Sequence, residues 1–509
     1  MPLTIMTARE AANLVSDGDT IMTDGFIGSC FAEDLAIGLE QRFLETGAPG
    51  NLTLFFCAGQ GDANSRGLNH FGHEGLLGRL VGGHWNLVPK IQKLAVENKV
   101  EAYNLPQGVL CHMIRDIAAK RPGTITHVGL KTFIDPRNGG GKLNEKTKKD
   151  LIELIVIDGK EYLLYKTFPI HIALLRGTYA DENGNISMAH EGLTVSVLSA
   201  AQAVRNSGGK VIVQVEKIVK AGSLDPRLVK IPGIYVDAVV VTSCKENHMQ
   251  TFGTQYNPAF TGDIKVPLGS IAPMAFDERK IICRRAAMEI AKGDVVNLGI
   301  GLPEGIGTVA NEMGIGDDFV LTVESGTIGG VPQSGLDFGC SINPQAIIDQ
   351  ANMFDSYHGG GIDLAFLGLA EADRYGNINV SKFGPRVPGV GGFVDITQNA
   401  KRVVFCGAFT AKGLKIGAKD RVLQIISDGV VKKFVQDVEQ VTFSGEYAME
   451  SHQKVLYITE RAVFELTPGG LELIEIAPGV DLEKDILSKM DFAPVVRVPK
   501  LMDAALFAD

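Results

Sequence analysis

The sequence predicts an α/β protein made of two related open α/β domains with mostly parallel sheets, and two observations carry that expectation. The first is self-similarity. Residues 9–19 (REAANLVSDGD) align with 284–294 (RRAAMEIAKGD), sharing Arg, two Ala, Gly and Asp in register, and each stretch runs on into an apolar segment and a Gly-rich turn, DGFIG and LGIGLPEG. Further along, IALLRGTYADENGNI (172–186) aligns with LAFLGLAEADRYGNI (364–378), and KVIVQV from 210 corresponds to KRVVFC from 401. Two matches in the same order make a duplicated unit the economical reading. The second observation is alternation: short runs rich in Val, Ile and Leu, such as VVNLGI, FVLTV, IDLAFLGL and RVVFCGAF, are separated by longer amphipathic stretches. That is the βα pattern of a parallel sheet covered by helices.

Taken in chain order, residues 1–245 form the first expected domain and 276–509 the second. Between them 246–275, rich in Gly, Pro and polar residues, is expected to be a linker. After about residue 420 the pattern changes to KVLYITERAVFELTPGGLELIEIA, where Pro-Gly-Gly between two alternating runs predicts a β-hairpin.

Composition narrows the function classes. A chain of 509 residues exceeds what one core usually organises. Its 60 glycines exceed the usual share of about 7% with no collagen-like period, which favours an active site built from loops. A net charge of −10 with no long basic run speaks against nucleic acid. Seven cysteines without a CxxC pair fit scattered reduced thiols in a cytoplasmic protein. Neither a signal sequence nor an apolar stretch long enough to span a membrane is expected.

The strand FVLTV runs straight into Glu324 and then into Ser-Gly-Thr-Ile-Gly-Gly, an arrangement suited to presenting one carboxylate from a pliable loop. GIGLPEG (299–305), after the strand DVVNL, suits a cofactor cradle, since glycines let backbone N–H groups approach a ligand. The rival is a dinucleotide fingerprint with Glu324 as the ribose-binding acid. Glu304 in place of the third glycine, and Pro303 in the turn, weaken it. HFGHE (70–74) resembles a metal motif only superficially, being neither HExxH nor HxxEH, and no metal site is expected. Gln107, in a Pro-Gln-Gly turn before an amphipathic helix, is placed to point an amide into a cleft. HGGGIDLAFLGLAE (358–371) and VPGVGGFVDI (387–396) offer backbone amides free to face a developing oxyanion.

Together VESGTIGG, GGGIDLAFLGLAE, GVGGFVDI, YNLPQG, NHFGHEG and the terminal ITERAVFEL…GLELIEIAPGVDL resemble the class I coenzyme A transferases, in particular the single-chain acetate or propionate CoA-transferases, over essentially the whole chain. The resemblance implies that Glu324 is the nucleophile and Gln107 the active-site glutamine. It also implies that Gly299 and Gly301 belong to the CoA-binding loop, and that the turn at Gly391 and Gly392 supplies an oxyanion-hole amide, with Gly389 a further candidate donor. An asparagine of the first glycine loop in some two-chain relatives has no counterpart in GFIGSCFAEDL, where Glu33 lies nearby, which puts acyl-group selection there in question.

The expected reaction transfers CoA between a short-chain acyl-CoA and a free short-chain carboxylate through a glutamyl-CoA thioester, with CoA as substrate and no tightly bound cofactor. A thioester hydrolase on the same site and a non-catalytic ligand-sensing module are the alternatives. The family resemblance further implies a homo-oligomer, tetramer or dimer, with no nucleic-acid or membrane partner.

Overall fold

The structure is a computed structural model that describes residues 3–267 and 273–508. By compactness the described residues divide into one unit within 1–266, 323–355 and 384–395 and a second within 267–322, 356–383 and 396–509. The segment bearing Glu324 thus groups with the first unit although it follows the expected linker in sequence.

The first unit is organised by eight parallel strands: β1 (Ile5–Met6), β2 (Thr20–Thr23), β3 (Leu52–Phe56), β4 (Leu77–Gly82), β5 (Glu101–Asn104), β6 (Ile172–Arg176), β7 (Lys210–Val215) and β8 (Ala238–Val241). Their order is β1-β8-β7-β6-β2-β3-β4-β5. Because these strands are buried on both faces, they read as continuous apolar runs, with Leu54, Leu80, Ala102 and Ile212 inside one core. The order reverses between β2 and β6, and parallel sheets bind ligands at the carboxyl ends beside such a reversal.

The second unit carries β9 (Val295–Leu298), β10 (Val320–Thr322), β11 (Leu364–Gly368), β12 (Arg402–Cys406), β13 (Lys454–Ile458), β14 (Ala462–Thr467), β15 (Gly470–Ile476) and β16 (Val495–Leu501). They run in the order β10-β9-β11-β12-β13-β14-β15-β16. From β10 to β13 every pairing is parallel. The hairpin expected around Pro468-Gly469 is the antiparallel pair β14–β15, and β13 pairs antiparallel with β14 as well. Val296, Phe366, Val404 and Leu456 lie in this unit's core.

The duplication is visible in hydrogen bonds as well as in strand order. The series β8-β7-β6-β2-β3 has the same order and sense as β13-β12-β11-β9-β10. Before β2, Asp19 Oδ2 accepts from the Ser16 amide at 2.8 Å; before β9, Asp294 Oδ2 accepts from the Ala291 amide at 2.8 Å. After β6, Asp181 Oδ1 accepts from the amides of Asn183 and Asn185. After β11, Asp373 Oδ1 accepts in the same way from Tyr375 and Asn377. Such Asp turns pin the chain where it leaves the sheet.

The expected linker is partly structured. Residues Lys245–His248 form a short 3-10 turn and Pro258–Thr261 a helical turn, and Phe252 and Phe260 are buried in the first unit. Residues 268–272 of the expected linker lie outside the described residues. All seven cysteines are free thiols, six buried and Cys244 exposed. Among the described residues no helix is long and apolar enough to cross a membrane.

Candidate active site

Glu324 follows β10 at the second position of a tight turn. The turn is closed by the Gly326 amide donating to Val323 O at 3.0 Å and the Val323 amide donating to Thr327 O at 3.0 Å. Each neighbour of the glutamate is pinned. The Ser325 hydroxyl, fully buried, donates to Gly339 O at 2.7 Å, and the Thr327 hydroxyl donates to the same oxygen at 3.2 Å. Gly326 has φ +119°, and a Cβ there would collide with the carbonyl oxygen of Ile348, whose own amide donates to Gly326 O at 2.9 Å. Only glycine fits. Glu324 itself is half-buried, so the turn holds its backbone while leaving part of the side chain open.

Several contacts explain why this segment packs in the first unit. Gly339, the anchor of Ser325, lies against Phe26 of the first glycine loop, and the Phe26 and Phe338 rings are 5.8 Å apart. The Gln350 amide donates to Val195 O at 3.0 Å, and the Thr194 hydroxyl donates to Asp349 at 2.8 Å. Arg115 pairs with Asp355 at 2.6 Å.

Gln107 opens the helix Gln107–Ala118 just past the carboxyl end of β5 and is 2% exposed. Its backbone amide donates to Gly391 O at 2.9 Å, while the Gly108 amide donates to Asp395 Oδ2 at 3.0 Å. The GVGG loop is stitched to the ends of β4 and β5. Gln92 Nε2 donates to Val387 O at 2.8 Å, the Trp85 amide to Pro388 O at 2.8 Å, and the Val390 and Gly391 amides to Gly83 O at 2.9 Å. Glu324, Gln107, Gly389, Gly391 and Gly392 therefore belong to one compact unit.

The two glycine amides differ in use. That of Gly391 is committed to Gly83 O, whereas that of Gly392 has no partner among the hydrogen bonds of the described residues. Sequence reasoning left both open, because a backbone amide's partner is not written in local composition.

Gly299 and Gly301 lie in the second unit, at the end of β9 beside the reversal in strand order between β9 and β11. The Gly299 amide donates to Phe366 O at 2.8 Å. Gly301, at φ +91°, has open space where a Cβ would stand. Burial raises the Glu304 pKa above the ordinary range, and the nearby Gly301 backbone partly offsets it. A carboxylate so close to the turn is unfavourable for a pyrophosphate, as a dinucleotide site would require.

The histidines of HFGHE are engaged by carboxylates. His70 lies between Glu33 at 3.0 Å and Glu40 at 2.5 Å, and His73 contacts Glu40 at 2.7 Å. Arg66 completes the group, 3.3 Å from Glu33. Glu33, nearest to the position of the missing asparagine, is thus bound into an ionic cluster.

Two groups escaped the sequence reading, the buried Asp24 and the half-buried His84. Asp24, at the end of β2 and 1% exposed, accepts from the amides of Ser196 at 2.8 Å and Gly25 at 3.1 Å. Burial nevertheless pushes its pKa up to about 7. His84, after the end of β4, has its Nδ1 enclosed with no hydrogen-bond partner among the described residues, and burial of the ring pushes its pKa down to about 4.

Comparison with known proteins fits this geometry. The family description "Coenzyme A transferase" matches residues 5–242. Caffeate CoA-transferase of Acetobacterium woodii is 48% identical, over 99% of this chain and 97% of its own length. The chain belongs to the coenzyme A transferase family. Acetate CoA-transferase YdiF of Escherichia coli (strain K12) is 45% identical, over 99% of this chain and 95% of its own length. A crystal structure of the acyl-CoA transferase YdiF from E. coli O157:H7, described as a thioester complex with CoA, superposes with a TM-score of 0.94. It is 44% identical, covering 100% of this chain and 96% of that one. The protein is accordingly a CoA-transferase, with CoA thioesters as substrates.

Proposed function

We propose that the protein transfers CoA between a short-chain acyl-CoA and a free short-chain carboxylate, acetate or propionate in kind, with Glu324 as nucleophile. The observation that carries this reading is the turn at Glu324, in which both following residues are immobilised and a half-buried carboxylate is presented from a fixed backbone. An ionised carboxylate is a weak nucleophile, so the site must stabilise the charge its attack creates. Attack of Glu324 on the acyl-CoA carbonyl expels CoA thiolate and leaves an acyl-glutamyl anhydride. The thiolate then attacks the glutamyl carbonyl, releasing the first carboxylate and leaving CoA as a thioester on Glu324. A second carboxylate reverses both steps. Proton balance needs no further reactant, because carboxylate enters and carboxylate leaves.

Gln107 donates from its amide to the tetrahedral oxygen. Gly392 is the better second donor than Gly391, whose amide is already taken by Gly83. Each such donor lowers the barrier by about 3 kcal/mol. Gly299 and Gly301 receive CoA, and because the Glu304 carboxylate lies close to the Gly301 turn, an uncharged stretch of the pantetheine arm suits that loop better than a phosphate. The halves 1–245 and 276–509 are the ancestral repeats, joined through 246–275, and the working protein is a cytoplasmic homo-oligomer, dimer or tetramer.

Intact-mass measurement tests the reading. Wild-type protein incubated with acyl-CoA and no acceptor should gain the mass of CoA less one water, mapped to the peptide holding 321–330. Glu324→Ala should form no adduct and lose transfer while still binding CoA. An adduct on another residue, or full activity in that variant, would overturn the assignment. A panel of acetate, propionate, butyrate and an aromatic acrylate then ranks the acceptors, with water as acceptor marking a hydrolase.

A further inference from the structure

The helix Gln107–Ala118 starts without a cap of its own. Pro106 at its N-cap offers no side-chain acceptor and its first turn holds no acidic residue, so its leading N–H groups need acceptors from elsewhere. Two of them find acceptors in one distant loop. The Gln107 amide donates to Gly391 O at 2.9 Å, and the Gly108 amide donates at 3.0 Å to Oδ2 of Asp395, 287 residues further along the chain. Asp395 is fully buried, a costly place for a carboxyl group unless it is hydrogen-bonded, and the positive end of a helix favours it there. The fit is close. A Cβ on Gly108 would collide with the Phe354 ring and stand 2.6 Å from Asp395 Oδ1, so glycine at 108 is what leaves room for the carboxylate.

The Gly391–Gly392 peptide is the group that this arrangement aims. Its carbonyl takes the Gln107 amide, and a planar trans peptide directs its N–H to the opposite side from that bond. That N–H is the Gly392 amide, the one without a partner among the hydrogen bonds of the described residues. A hydrogen bond at the carbonyl also polarises the peptide and strengthens its N–H as a donor. On the near side the loop rests on Gly83 O through the Val390 and Gly391 amides, both at 2.9 Å, and on the far side it is held by Asp395. Between these anchors stand two consecutive glycines, which have no preferred peptide orientation of their own. The Gln107 side chain reaches the same place, with its Oε1 4.0 Å from where a Gly391 Cβ would stand.

We propose that Asp395 is a positioning residue for CoA transfer: by capping the Gln107 helix from the GVGG loop, it fixes the Gly391–Gly392 peptide relative to the Gln107 side chain. This rests on the function proposed above, in which Gln107 and Gly392 are the oxyanion donors, and adds the residue that sets their spacing. Oxyanion stabilisation depends on donors held in place before the charge develops. The role needs no contact between Asp395 and the reacting atoms. It needs an acceptor at one place, so a group of the same shape serves and a longer arm does not.

Single-turnover formation of the CoA adduct from acetyl-CoA, followed by intact mass, provides the test. Asp395→Ala should slow adduct formation by about 10- to 100-fold, as a displaced catalytic group does. Affinity for acetyl-CoA should stay within about threefold, since its CoA handle binds remotely. Asp395→Asn keeps an acceptor in the same place and should remain within about threefold of the wild-type rate. Asp395→Glu keeps both charge and acceptor but lengthens the arm by a methylene; it should lose as much as Asp395→Ala and takes its place if the alanine variant does not fold. A spectroscopic readout separates positioning from stability. In a Glu324→Ala background the infrared carbonyl band of bound acetyl-CoA should move back toward its free position when Asp395→Ala or Asp395→Glu is added, and should stay in place with Asp395→Asn. Wild-type rates in folded Asp395→Ala or Asp395→Glu, or an equal loss in Asp395→Asn, would overturn the proposal. Failure of the parent reading is distinct, because the CoA adduct on wild-type Glu324 would then be missing.

Discussion

Gly326→Ala is the sharpest perturbation of the turn that presents Glu324. At φ +119° an L-residue is strained, which costs about 1–3 kcal/mol. The added methyl would also stand well inside contact distance of Ile348 O, a backbone atom held by the 2.9 Å bond from its own amide to Gly326 O. Neither segment yields by a side-chain rotation, so they must part by on the order of 1 Å, and a misplacement of that size at a reacting group costs about 10²-fold in rate. The variant should therefore fold with a lowered melting temperature and bind CoA. Formation of the CoA adduct should slow by about 10²-fold under single-turnover conditions, where product release does not mask the chemistry. Wild-type adduct formation in Gly326→Ala would refute the argument that this glycine sets the position of the nucleophile. A matched loss of CoA binding would mean that the damage had spread beyond the turn.

Two further perturbations probe the surroundings. Gly391→Ala adds a methyl 4.0 Å from Gln107 Oε1, with φ +51° as its main strain, so the protein should fold while CoA transfer falls by at least about 10-fold; unimpaired transfer would show that the Gly391 turn does not border the reacting groups. Asp24 holds its proton more tightly when folded (about 7) than when unfolded (3.8), so its contribution is complete below about pH 4 and is lost as pH rises through about 7, on the order of 4 kcal/mol in all. Urea midpoints compared between wild type and Asp24→Asn should accordingly move in the variant's favour from about pH 4 to pH 8, and a pH-independent difference would refute the assignment.

The sheet architecture was legible because a buried parallel strand must be apolar along its whole length, and because the Asp turns before β2 and β9 and after β6 and β11 repeat their residues. The hairpin at Pro468-Gly469 was legible for the same local reason. Glu324 stood out as a carboxylate between a strand and a run of glycines. His84 did not, since GGHWNL reads as an ordinary loop. What distinguishes it is the enclosure of one nitrogen atom by chain segments far away in sequence: Gly59 and the 387–392 loop. Grouping of 323–355 with the first unit was hidden for the same reason, because it rests on long-range pairs such as Thr194 with Asp349 and Gly339 with Phe26.

The duplicated strand order gives that grouping a chemical sense. In each sheet one strand lies next to the strand at which the order reverses: β3 beside β2, and β10 beside β9. These are equivalent positions, yet their carboxyl ends carry different residues. After β3 come Cys57, Ala58 and Gly59, the last making room for the His84 ring; after β10 come Val323, Glu324, Ser325 and Gly326. Were both ends to carry a carboxylate within the same compact unit, each would raise the other's pKa and weaken the ionised nucleophile. A single-copy fold would have to find the acid and its uncharged donors on the strands of one sheet. Two diverged copies can separate the tasks, keeping Gln107 past the end of β5 while the acid arrives on a segment contributed by the other repeat.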